Sequence, residues 1–184
     1  SSISTSQNII KIKDIIKERV EDNKIILVFS AIGKTTDMLI NVGQTATHSD
    51  DYKYLLQNII DLHYNIINDL LGQDAKIHEL IKPLEENLRD ICLGIYYLKD
   101  FSQKNNDYLI SFGEKMSNLI ITEYLKQEIS NKNISLIDST EFIITDYNYG
   151  NAKIIKTKTY QNLEKLKDIE FDLLIAPGFI SKNE

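Results

Sequence analysis

A chain of 184 residues with 42% hydrophobic and 26% charged content can bury one substantial core and is short for two independent domains. No apolar run approaches the ~20 residues that span a bilayer, so no membrane segment is expected. Net charge is −6, from 27 acidic against 21 basic residues, and Arg19 and Arg89 are the only arginines, which argues against a nucleic-acid-binding face.

The polar start at Ser1-Ser2 carries no charged-then-apolar secretory signal. Cys92, the single cysteine, can form neither an internal disulfide nor a thiolate metal cluster, so it is expected as a small buried hydrophobe in a cytoplasmic protein. His48, His63 and His78 lack metal-ligand spacing and are expected at the surface. The chain opens without methionine, which predicts a piece of a longer gene product.

In chain order, Ser6 can cap a helix over 7–22, with Ile9, Ile12, Ile15, Ile16 and Val20 on one stripe. Ile25-Ile26-Leu27-Val28-Phe29 reads as a buried strand running into the hydroxyl-rich loop Ser30 to Asp37, where Thr36 or Asp37 would cap a helix reaching about Ala46. A helix from Ser49-Asp50-Asp51 carries Tyr54, Leu55, Ile59, Leu62, Ile66, Leu70 and Leu71 at helical spacing and ends at Gly72. Another runs from Lys76 to about Asp100, with Pro83 expected to kink or break it. These two form a helical hairpin insertion, about 51–103, expected beside the sheet.

A helix is then expected to start near Glu114 and to carry Met116, Leu119, Ile120, Tyr124, Leu125 and Ile129 on its core face. Strands follow at 134–137, 142–145 and 153–156, the last two joined by the turn-rich stretch 146–151 with Gly150 at a positive backbone angle. A helix at 158–167 leads to the strand 171–176 and the Pro177-Gly178-Phe179-Ile180 turn. Strands alternating with helices predict the α/β class, a mainly parallel open sheet flanked by helices.

Chemistry concentrates at Ser111-Phe112-Gly113-Glu114-Lys115-Met116-Ser117. A carboxylate at an anion-binding helix start suits a zwitterionic amino acid, Glu114 taking the ammonium group. The bland alternative is an S-x-x-E capping box made by Ser111 and Glu114. The second half of the site would be the loop after strand 25–29, because ligands of open α/β sheets bind at such strand ends. Gly33-Lys34-Thr35 is no Walker loop, since Val28 stands where that motif requires glycine.

Taken together and in order, the segments resemble aspartate kinases of the amino acid kinase superfamily. Ser30-Ala31 with Thr36-Asp37 resembles their S-A-x-x-x-x-T-[ND] loop, Ser111-Phe112-Gly113-Glu114 their S-[FHY]-G-E, and Gly178-Phe179-Ile180 their G-F-I turn. Asp138 to Ala152 resembles their D-A-R-E-x-I-x-T-D-x-N-[FY]-G-N-A segment, and Ser1-Ser2-Ile3 with Asn8-Ile9 the stretch after their opening K-F-G-G. The resemblance implies ATP-dependent phosphorylation of the side-chain carboxylate of L-aspartate, on the route to lysine, threonine and methionine, with Mg-ATP as cofactor and a homo-oligomeric parent.

By position, the resemblance assigns substrate binding to Ser30, Thr36 and Glu114, with Asp138 and Gly178 as further candidates and no metal ligand. It also places the family's K-F-G-G lysine before Ser1 and its L-G-R-G-G-S-D segment after Glu184, and Thr140 stands where the family has an arginine. The chain is therefore expected to be an incomplete, N-terminal portion of the kinase domain, lacking the nucleotide-binding lobe and not competent for phosphoryl transfer alone. Two alternatives differ in consequence: another phosphotransferase of this fold, acting on glutamate, acetylglutamate, carbamate or uridylate, or a non-catalytic binding or assembly module.

Overall fold

The computed structural model describes residues 3–73 and 75–184; Ser1 and Ser2, part of the resemblance at the start, lie outside the described residues. The elements run α1 (Ser6–Arg19), β1 (Ile25–Phe29), α2 (Thr35–Ala46), α3 (Tyr52–Leu71), α4 (Ala75–Leu98), α5 (Gln103–Glu128), β2 (Ile134–Leu136), β3 (Ile144–Thr145), α6 (Lys156–Leu163), β4 (Leu173–Pro177) and β5 (Lys182–Asn183). The Ile- and Leu-rich β1, β4 and β2 form a parallel sheet in that spatial order, Ile25 and Ile134 both pairing with Leu173. β3 and β5 pair in parallel as a separate small ribbon. The α/β, mainly parallel class is as the sequence implies.

α5 is the central helix. From Phe112 to Leu125 nearly every residue is buried, because the three-stranded sheet covers one side and α2 and α4 the other. The hairpin of α3 and α4 packs chiefly on α2 and α5, so it lies behind the helical layer and not beside the sheet as expected. Its apolar stripe (Leu56, Ile59, Ile60, Ile67, Ile77, Ile81, Leu88, Cys92) fills a core continuous with Leu39, Val42 and Leu109. Burial pushes the Cys92 thiol up to about 12, which leaves it inert as a nucleophile.

Several element ends differ from expectation for local reasons. Thr5, not Ser6, caps α1 by accepting from the Asn8 amide, while Ser6 Oγ donates to Asp69 at 2.7 Å. α2 starts without a side-chain cap, so neither Thr36 nor Asp37 serves as one. Gly72 ends α3 with φ +63, as expected. α4 runs through Pro83 without interruption, its packing on α5 outweighing the missing amide.

The expected strands 142–145 and 153–156 shrink to Ile144–Thr145 and a single bridge from Thr145 to Ile154, because Ser139–Glu141 forms a 3-10 turn first. The turn at 146–151 docks on α5: Gly150, at φ +77, donates its amide to Asp107 Oδ2 at 2.6 Å, and Gln103 closes over it.

His63 corrects the surface expectation for histidines: it is fully buried on α3. A ring nitrogen, Nδ1, lies 2.8 Å from the Ile59 carbonyl oxygen, which can only accept, so Nδ1 carries the proton and Nε2 is left bare and unpartnered among the described residues. Burial holds its pKa below the ordinary histidine value. The unfolded chain then binds a proton that the folded chain refuses, so stability is full above the unfolded pKa of about 6.5 and is lost as pH falls below it. Urea melts at stepped pH should show a loss of up to about 1.4 kcal/mol per pH unit below 6.5 that is absent in His63→Leu; parallel curves for the two proteins would refute the assignment.

Candidate functional site

The C-terminal ends of β1, β4 and β2 lie side by side, and each carries one of the residues singled out in the sequence. β1 ends at Phe29 and hands over to Ser30; β4 ends at Pro177 and hands over to Gly178; β2 is followed by Asp138. Two hydrogen bonds tie these ends together. Gly178 donates its amide to the Phe29 carbonyl at 2.8 Å, and Ser139 Oγ donates to the Pro177 carbonyl at 2.8 Å. A Cβ at Gly178 would stand 3.2 Å from Val28 Cγ1 and 3.3 Å from the Phe29 oxygen, so glycine permits this approach.

α5 passes beneath the end of β1 and brings Glu114 to the Ser30 loop. Glu114 is not at a helix start: α5 begins eleven residues earlier, at Gln103, with Ser102 as its cap. Ser111 is mid-helix too, its hydroxyl donating to the Tyr108 carbonyl at 2.7 Å, so neither the anion-binding helix mouth nor the capping box exists. The helix extends upstream because Leu109 and Phe112 bury completely against the helical layer, which outweighs the weak helix preference of Gln103 to Asp107.

The contact between α5 and the loop is built from small and polar side chains. The Ala31 amide donates to Glu114 Oε1 at 3.3 Å, Ser117 Oγ to the Ser30 carbonyl at 2.9 Å, and Asn118 Nδ2 to the Phe29 carbonyl at 3.1 Å. Asn118 also bonds back to the Glu114 carbonyl at 2.8 Å, and Thr122 Oγ1 to the Asn118 carbonyl at 2.6 Å. Gly113 makes the approach possible, since a Cβ there would stand 2.9 Å from Ala31 Cβ and 3.3 Å from Thr35 Cγ2. Gly113 and Ser117 lie in the stretch singled out from the sequence, but Asn118 escaped that reading, although the i, i+4 ladder Glu114, Asn118, Thr122 inside an apolar helix was a visible signal.

Ser30 is exposed and its Oγ lies 3.4 Å from the Ala31 carbonyl oxygen, a weak bond that a ligand can replace. Thr36 is half-buried in the first turn of α2, beside Thr35, whose own hydroxyl is spent on the Ile32 carbonyl at 2.6 Å. Ser30, Thr36 and Glu114 thus belong to one corner, at the junction of β1, α2 and α5. Asp138 stands two strands away, exposed, its Oδ1 taken by the Thr140 amide at 2.9 Å and hydroxyl at 2.8 Å.

Two glutamates of α5 are buried, and they differ in how their charge is met. Glu123, 8% exposed, has Lys126 at 2.7 Å and Lys76 at 2.9 Å, and these cations hold its carboxyl below the usual range. Glu114, 7% exposed, has no cation within 4 Å among the described residues; burial raises its pKa, outweighing its own backbone amide and the long bond from the Ala31 amide, which act to lower it. A desolvated carboxylate without a counter-ion is costly in a resting protein.

With this geometry, the relatives are informative. A family model described as "Amino acid kinase family" matches residues 1–184. The chain belongs to that family. It is 32% identical to Aspartokinase 3, chloroplastic, of Arabidopsis thaliana, over 99% of this chain and 33% of that protein. It is 21% identical to the bifunctional aspartokinase/homoserine dehydrogenase of Buchnera aphidicola, over 100% of this chain and 23% of that one. The crystal structure of E. coli aspartokinase III in complex with aspartate and ADP shares its fold at TM-score 0.83 and 22% identity, over 100% of this chain and 40% of that chain. The chain thus spans about a third of the first of these relatives and less than half of the solved one.

The tight seat of α5 makes a paired prediction. Alanine in place of glycine gains about 0.5 to 1 kcal/mol in a helix interior. Gly94 in α4 has nothing within 4 Å of the position a methyl group would take, so Gly94→Ala should stabilise by that amount. Gly113→Ala should instead destabilise by about 1 to 3 kcal/mol through the Ala31 contact. Denaturant midpoints of both variants check this, and equal shifts would contradict the close approach.

Proposed function

We propose that this chain is the amino-acid-binding part of an aspartate kinase, in which Glu114 holds the ammonium group of L-aspartate and the hydroxyls of Ser30 and Thr36 receive its carboxylate oxygens. The observation that carries this reading is the buried, unpaired carboxylate of Glu114 at the strand ends. An ammonium ion supplies the missing charge, and a hydrogen bond between charged groups in a partly dry site is among the stronger polar contacts. The likeness to Aspartokinase 3 over the whole chain supports aspartate as the amino acid.

In the parent protein the reaction joins a side-chain carboxylate oxygen to the terminal phosphoryl group of ATP, giving 4-phospho-L-aspartate and ADP. The work of this chain is to fix the acceptor. Glu114 anchors the amino end through a helix tied to the end of β1 by Ser117 and Asn118, and the short hydroxyl side chains orient the carboxylates, so the attacking oxygen is presented in one direction. Phosphoryl transfer gains most of its acceleration from such positioning and from charge stabilisation. Among the described residues no group of three or more His, Cys, Asp or Glu side chains is arranged to hold a metal ion. Asp138 and Gly178 keep a supporting place, Gly178 by holding the end of β4 against Phe29.

The test is calorimetric titration of L-aspartate into the full-length parent. Glu114→Gln should weaken binding by about 10- to 100-fold, the equivalent of about 1.5 to 3 kcal/mol for a hydrogen bond to a charged group. Because the raised pKa of Glu114 brings protonation nearer to neutrality, affinity should fall on acidification at a higher pH than the ordinary glutamate midpoint of about 4.3. Undiminished affinity in the variant would remove Glu114 from the site.

A further inference from the structure

A second hollow opens between α2 and α5, away from the strand ends. It is a cavity of about 360 Å³ lined by Ile40 and Gln44 of α2, by Phe101 just before α5, and by Gln103 and Asn106 in the first turn of α5. The two helices run antiparallel, since a Cβ at Gly113 would meet Thr35 and Leu39, while one at Gly43 would meet Leu109 and Phe101. Thr36, Ile40 and Gln44 follow one another at i, i+4 spacing, as do Asn106, Ile110 and Glu114. The cavity therefore lies two helical turns, about 12 Å, from the corner that holds Thr36 and Glu114.

Its floor is fixed in place. The Phe101 ring occupies the notch left by Gly43, where a Cβ would stand 2.2 Å from a ring carbon, and half-buried Ile40 lines the same hollow. The rim is made of carboxamides. Among the described residues the side chains of Gln44, Gln103 and Asn106 make no hydrogen bond, so each keeps two N–H donors and one carbonyl acceptor for a ligand. Gln103 is backed by Gly150, where a Cβ would stand 3.0 Å from its Nε2. The lining carries no charged side chain among the described residues.

A flat, uncharged ring with neighbouring donors and acceptors on its edge matches this lining. Its face rests on Phe101 and Ile40, and its edge meets carboxamides, the pairing by which Asn and Gln read the N6 and N7 atoms of adenine. The volume stands at the lower end of small-molecule pockets and suits a nucleoside. A wholly apolar ligand would bury three carboxamides without partners, and an anion would meet no cation in the lining. We propose that this cavity binds the adenine base of a nucleoside or nucleotide. It shares no residue with the amino-acid corner, so the two sites can be occupied together.

The experiment is hydrogen exchange in the full-length parent, titrated with adenosine and separately with AMP, as wild type, Gln44→Leu and Asn106→Leu. Adenosine should slow exchange in the segments 40–47 and 101–107, which border the cavity. Each leucine should raise the adenosine concentration for half protection by about 2- to 10-fold, the worth of one lost hydrogen bond. Melting temperatures should match wild type, because neither amide is bonded within the fold; a lower one accompanying the loss would make the amide structural and overturn the site. AMP should protect as adenosine does, and a gain of about tenfold or more for AMP would show phosphate recognition and overturn an uncharged ligand. No protection of these segments at millimolar adenosine overturns the proposal. So does protection undiminished in both variants, which would place adenosine elsewhere in the parent, its ATP site included. Saturating L-aspartate should leave the protection intact, and displacement by it would also overturn a separate site. Failure of L-aspartate to bind would refute the amino-acid reading and leave these results standing, so the two fall separately.

Discussion

The register of α5 against the end of β1 is the constraint on which the rest depends. A helix buried on all sides would ordinarily be apolar throughout, yet this one carries Ser117, Asn118 and Thr122 at full burial. Asn118 and Ser117 meet the Phe29 and Ser30 carbonyls, which a strand leaves free when it turns into a loop. These bonds satisfy groups that burial would otherwise penalise by about 1 to 3 kcal/mol each, and they admit only one rotation of the helix. That rotation puts Glu114 under Ala31. The Oδ1 atom of Asn118 stays unpartnered among the described residues, so even this contact is incompletely satisfied.

The same helix carries two buried glutamates whose charges are met in different ways. Glu123 and its two lysines form a closed set that neutralises itself at the far end of α5. Glu114 is withdrawn from water with similar severity and has no cation within 4 Å among the described residues, at the edge of a parallel sheet where loops meet. Stability alone would favour apolar residues in both places, since a buried unpaired charge weakens the folded state. Under the function proposed above, its retention at a strand end is accounted for by a ligand that brings the missing charge. The exposed apolar residues Ile26 and Val28 on β1 and Phe179 after β4 lie on the same sheet, so this surface is dressed for contact more than for water.

Much of this was legible in the chain. β1, α2, the Gly72 stop and the parallel α/β class follow from Ile- and Leu-rich runs, helical spacing and a glycine at a positive angle. The ordered segments at Ser30, Glu114 and Gly178 indicated the family before any coordinates. The start of α5 was not legible, because Gln103 to Asp107 has no apolar periodicity and becomes helical only through tertiary packing downstream. His63 read as a surface residue because a lone histidine on an amphipathic helix gives no sign that its face is the buried one. The strand 153–156 failed through its neighbours: Thr159 Oγ1 and the Ile154 bridge take the pairing positions of β3.

The turn at 146–151 gives α5 a second mooring. Gly150 binds Asp107, and Asn118 binds Phe29, about three helical turns further along the same rod. Between the two fastenings the helix has no freedom of length: one residue gained or lost would swing everything downstream by about 100°, carrying the carboxylate out from under the loop. The stretch from Asp107 to Asn118 must therefore keep its residue count if Glu114 is to stay beneath Ala31.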